Sequence, residues 1–77
     1  MWLYRSPIGD MVIQEREDGM FELCLGGEVF GPWYDPEDAA ADVAEFSCGC
    51  WDWDCLNGQV FSAPLDLDDW TELEADN

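Results

Sequence analysis

The sequence predicts an α+β domain: a small antiparallel sheet of three or four strands packed against one main helix, plus a short C-terminal helix. Three observations carry that prediction. Apolar runs within residues 2–34 are separated by Asp18-Gly19 and Gly26-Gly27, pairs that supply the positive φ of tight hairpins. Asp35-Pro36 then opens an alanine-rich run with helical spacing. Leu67, Trp70 and Leu73 recur every third residue near the end of the chain. Seventy-seven residues make a single domain, 1–77.

Taken in order, Trp2 to Tyr4 reads as a short first strand, and Arg5 to Asp10 as a turn punctuated by Pro7 and Gly9. Met11 to Arg16 is the second strand. Met20 to Leu25 is the third, with Phe21, Leu23 and Leu25 on one face and Glu22 and Cys24 on the other. Glu28 to Tyr34 follows Gly26-Gly27 and is interrupted near Gly31-Pro32, because proline cannot donate to a central ladder.

The strongest helix signal is Asp35 to Phe46. Asp35 is a good N-cap, Pro36 needs no N–H at the first helical position, and Glu37 and Asp38 sit at the positive end of the dipole. Ala39, Ala40, Val43 and Phe46 form the apolar stripe, and Gly49 offers a left-handed stop. Trp51 to Leu56 reads as a helical turn or an irregular segment. Gln59-Val60-Phe61 is a candidate short strand. Pro64 to Leu73 is the expected C-terminal helix, with Asp66 or Asp68 as its cap, and Glu74 to Asn77 is expected to fray.

Composition narrows the function. Apolar residues make up 48% and aromatics 14%, with five tryptophans, so the chain has the content of a folded domain. The formal charge is −17, from 19 acids against Arg5 and Arg16, with no Lys or His. Residues 1–34 hold six acids and both arginines; residues 35–77 hold 13 acids and no base. Solubility needs only about 2–8 units of net charge in a small domain. Direct nucleic-acid binding and anionic membranes are disfavoured by repulsion. The natural partner of such a surface is a strongly basic surface, a cation, or nothing. Met1 to Arg5 leads into a turn, not an apolar signal segment, and no apolar run is long enough for a membrane span, so a cytoplasmic location is expected.

Metal and catalytic patterns are weak. Cys48, Cys50 and Cys55 with Cys24 lack the usual C-x2-C pairing for zinc, and small buried thiols are the simpler reading. Asp52, Asp54, Asn57 and Gly58 resemble a calcium loop, but Cys55 stands where an oxygen belongs and the terminal Glu is missing. Without His or Lys, a thiol or hydroxyl lacks its usual activating partner, so no enzyme and no cofactor are expected. Trp33, Trp53 and Trp70 read as core anchors, and Trp51, beside Asp52, as a candidate exposed anchor for a partner.

The carboxylates carry the functional expectation. Asp38, Asp42 and Glu45, spaced four and three apart, run along one helix face at separations of about 5–6 Å. Asp52 and Asp54, then Asp66, Asp68, Asp69 and Glu72, extend that charge if the C-terminal segment folds beside the helix.

The segment Gly31-x-Trp33-x-Asp35-Pro36-Glu37-x-Ala39-Ala40-Ala41-Asp42-Val43, with Cys48-Gly49-Cys50-x-x-Trp53-Asp54 and Pro64-x-Asp66-Leu67-x-x-Trp70, resembles a group of small acidic bacterial and phage-associated proteins. The resemblance covers roughly residues 28–70. It implies a compact α+β domain and no particular chemistry. By size and charge the chain is also similar to phage-encoded anti-CRISPR proteins that act as DNA mimics. Mimics that inhibit restriction enzymes, glycosylases or nucleoid proteins fit the composition equally. The expectation is an acidic DNA mimic that blocks target-DNA binding by a CRISPR effector complex. The alternative is an acidic accessory or antitoxin-like module that binds one basic protein without imitating DNA.

Overall fold

The turns decide the sheet. In the computed structural model, which describes residues 1–61 and 63–73, four strands form a meander: β1 (Trp2–Ser6), β2 (Gly9–Glu15), β3 (Phe21–Leu25) and β4 (Glu28–Trp33). The β3–β4 hairpin closes through Gly26 (φ 59°) and Gly27 (φ 87°), the paired positive φ that a two-residue hairpin needs. Gly19 (φ 84°) serves the β2–β3 turn, where the Asp18 carboxylate accepts from the Met20 N–H. The β1–β2 turn is only Pro7-Ile8, since Ser6 already pairs with Gly9. The broader turn expected over residues 5–10 is therefore consumed by longer strands.

A fifth strand, β5 (Thr71–Glu72), pairs antiparallel with β1, giving the order β4-β3-β2-β1-β5. This corrects the C-terminal helix. Leu67–Asp69 forms a single 3-10 turn, and Trp70 is extended (φ −81°, ψ 151°) to lead into β5. Asp66, Asp68 and Asp69 would repel one another in a longer helix, and the free edge of β1 offers the chain hydrogen bonds instead. Residues 59–61 form no strand. The expectation for residues 74–77 lies outside the described residues.

The helix α1 (Pro36–Ala44) crosses β2, β3 and β4 and meets the 3-10 turn. Its alanines let it approach the sheet closely: Ala39, Ala40 and Val43 are fully buried against Met11, Ile13, Leu23 and Leu25. Asp35 occupies the N-cap position without a side-chain cap bond; its carbonyl accepts from Asp38 and Ala39. The helix stops two residues early. Phe46 takes the left-handed conformation (φ 57°), with Phe46 N–H bonded to the Val43 carbonyl and Ser47 N–H to that of Asp42. That is a Schellman ending with Phe in the place usually given to Gly. Gly49 is also left-handed but lies beyond it.

Phe46 tolerates this because its ring stacks on Trp53 at 4.7 Å and 13°. Trp53 comes from α2 (Trp51–Asp54), a single turn, and is fully buried. Its indole N–H donates to the Val43 carbonyl at 2.8 Å, and Tyr4 meets it edge-on. Trp70 is also buried, edge-on to Tyr4, and its indole N–H finds no partner among the described residues. Trp33 is half-buried.

Candidate functional site

The molecule is electrically two-sided. Arg5 lies on β1 and Arg16 directly follows β2, and the ion pairs among the described residues are those of Arg16, with Asp18 at 3.5 Å and Glu22 at 4.0 Å. The layer built by α1, α2 and the 3-10 turn carries ten carboxylates between Asp35 and Asp69 and no base. The strand pattern and the helix signal together produce this segregation, because the meander uses the first half of the chain and the covering layer uses the second.

Within that layer the candidates divide. Asp38 and Glu45 are exposed on α1, two turns apart, or about 10 Å along the axis. Asp42, placed between them in the sequence pattern, turns inward: its Oδ2 accepts the Trp33 indole N–H at 2.7 Å, and it is half-buried. The continuous row Asp38–Asp42–Glu45 is therefore interrupted. Asp52 is exposed on α2, beside Trp51, which is 77% exposed. Asp54 is half-buried. Its Oδ1 accepts from Cys48 N–H and Sγ–H, and its Oδ2 from Gly49 N–H at 3.0 Å, so it holds the 48–50 loop closed.

The second cluster does reach the first. The 3-10 turn packs on α1, and a groove between them is lined by Glu37, Ala41, Leu65, Asp66, Leu67 and Asp68. Asp66 and Asp68 thus face the first turn of α1 across an apolar floor. Asp69 lies toward β1, bordering a groove shared with Tyr4, Arg5 and Thr71. Glu72 is exposed on β5, opposite Trp2. The continuous charge therefore runs across the α1–turn groove, not along the helix.

Glu37, outside the expected set, also lines the α1–turn groove; its place beside Asp38 in the first helical turn is the signal for it in the sequence. Also outside the expected set are the exposed Tyr34 (81%) and Leu65 (74%), which precede Asp35 and Asp66, and Phe61 (89%).

The cysteines are not assembled into a ligand set. Cys24 lies on the sheet face away from α1, Cys48 and Cys50 are buried under it, and Cys55 is exposed. Among the described residues no group of three or more His, Cys, Asp or Glu side chains is placed to hold a metal. Burial pushes the Cys48 thiol up to about 12, with the Asp54 carboxylate adding to the effect and the Cys50 backbone opposing it. A thiol that remains protonated to such a pH is a poor nucleophile. Among the described residues no helix is long and apolar enough to cross a membrane. No protein-family model, curated protein or solved structure matches the chain.

Proposed function

We propose that this chain is an acidic inhibitor that occupies the nucleic-acid-binding surface of a basic protein as a DNA mimic, with a CRISPR effector complex as the specific target class. One observation carries the reading: ten carboxylates and no base lie in a single layer, while Arg5 lies on β1 and Arg16 directly follows β2. The dimensions agree. The fold measures 38 × 21 × 20 Å, and one turn of duplex DNA rises about 34–36 Å. Over 38 Å one DNA strand presents about 11 phosphates at ~3.4 Å each, against eight exposed carboxylates in the layer. Asp35, Glu37, Asp38, Glu45, Asp52, Asp66, Asp68 and Asp69 are the exposed members that meet Arg and Lys in charge-assisted contacts.

The test is recovery of a bacterial partner on the tagged protein, followed by elution with short duplex DNA. A DNA-binding protein or effector complex released by duplex supports mimicry. A partner that ignores DNA supports the second reading, an accessory or antitoxin-like module. That reading draws on the exposed Trp51 and Phe61, which add apolar anchors that phosphate imitation does not require.

A further inference from the structure

Among the described residues, one face of the sheet is covered by α1 and the other is open. On the open face, Leu3 stands directly opposite Val12, Val12 opposite Cys24, and Cys24 opposite Val29, so one apolar row crosses β1 to β4 in register. Thr71 extends the row onto β5 opposite Leu3. Among the described residues no helix lies over it, and Val29 is 58% exposed. Arg5 stands opposite Asp10 on the same face, and Arg16 reaches Glu22 there. In a chain of net charge −17, this is the face that both arginines reach, against Asp10, Asp18 and Glu22.

A solvated antiparallel face is common, so openness alone decides nothing. The charge distribution decides the occupant. Two copies cannot meet through the helical layer without opposing eight exposed carboxylates to eight more. The sheet edges are blunted as well. β5 has two residues, and β4 carries a bulge and Pro32, which has no N–H to donate. A strongly basic partner is drawn to the opposite side of the molecule.

We infer that the open sheet face is a self-association surface whose occupant is a second copy of this chain, packed sheet to sheet about a two-fold axis. The apolar rows of the two copies meet across the roughly 10 Å spacing of stacked sheets. Both acidic layers then point outward, and the dimer presents two of them. Five strands at about 4.8 Å spacing and five residues long project roughly 400 Å² per copy, about half of a standard interface. The dimer is accordingly weak and forms at tens to hundreds of micromolar. Long-range repulsion between two acidic bodies opposes it, so salt strengthens it, whereas salt weakens binding to any basic partner.

Sedimentation equilibrium of the purified protein, from about 10 to 300 μM in about 0.05 and 0.5 M NaCl, tests this inference independently of the proposed target. The expected result is a monomer–dimer equilibrium shifted several-fold toward dimer at high salt. Val12→Glu and, on the more exposed edge strand, Val29→Glu abolish it with unchanged circular dichroism. A native chain that stays monomeric at the highest concentration and salt overturns the inference. So does a dimer that dissociates as salt rises, or one that persists in the folded Val29→Glu variant.

Discussion

Asp42 Oδ2 lies 2.7 Å from Trp33 Nε1, tying the second turn of α1 to the last residue of β4. The bond sits at the end of a strand already bent by a bulge between Phe21 and Leu23 on its neighbour. It therefore fixes the angle at which the chain leaves the sheet for the helix. Charge-assisted bonds of this kind contribute about 1.5–3 kcal/mol.

Asp42→Asn keeps an acceptor for the indole and is expected to melt near the native temperature. Asp42→Lys loses the acceptor and buries a cation beside the indole N–H. Its expected cost is about 1–3 kcal/mol, and each kcal/mol lowers Tm by roughly 4–8 °C in a domain of this size. Equal melting temperatures for the native chain and Asp42→Lys would show that the bond does not hold the joint. A double reversal of Asp42 and Glu45 is consequently a poor probe of the surface, because half of it disturbs the fold.

Glu45→Lys separates charge from stability. Glu45 is exposed at the C-terminal end of α1, where a cation is favoured by the helix dipole by about 0.3–1 kcal/mol. The variant is expected to melt higher than the native chain, and added salt to raise the native Tm by screening self-repulsion. Its affinity for the basic target is expected to fall. A variant that is more stable and equally inhibitory would remove Glu45 from the contact surface.

Asp54 and Asp52 are sequence neighbours in one helical turn, yet they have different work. Asp54 closes the 48–50 loop through two backbone N–H groups, whereas among the described residues no such bond involves the Asp52 side chain, which is exposed. Asp54→Ala is expected to cost about 1–3 kcal/mol in urea unfolding, since two donors lose their acceptor. Asp52→Ala is expected to fall within about 0.5 kcal/mol of the native chain. Comparable losses in both would mean that the loop closes without Asp54.

These pairs show what the sequence could and could not express. Strands β2 to β4 and the start of α1 were legible because Asp18-Gly19, Gly26-Gly27 and Asp35-Pro36 are local signals with local causes. Ala39, Ala40 and Val43 were legible as core because their spacing is that of a helix. The stop at Phe46 was not, since a left-handed Phe depends on the Trp53 ring that stacks on it. Strand β5 was hidden because its partner, β1, is at the far end of the chain. The acidic character of the site was plain from composition, and exposed Trp51 was anticipated. Which carboxylates face solvent was not plain, because Asp42 and Asp54 are claimed by Trp33 and by the Cys48–Gly49 backbone.

Cys48 makes the fold sensitive to alkali. Its thiol is pushed from the ordinary 9.0 to about 12, first by burial and then by the facing Asp54 carboxylate. The unfolded chain therefore releases this proton at a lower pH than the folded one. Stability from the neutral thiol is complete below pH 9.0 and is lost progressively as pH rises toward about 12. Tyr4, also raised by burial, adds to the loss at the upper end of that range. Tm is expected to fall across this window, and Cys48→Ala to flatten the fall relative to the native chain. Under native conditions a thiol reagent is expected to modify exposed Cys55 first and Cys48 last. Rapid labelling of Cys48 near neutral pH, or an alkaline limb unchanged in Cys48→Ala, would place the thiol in contact with solvent and remove it from the core beneath α1.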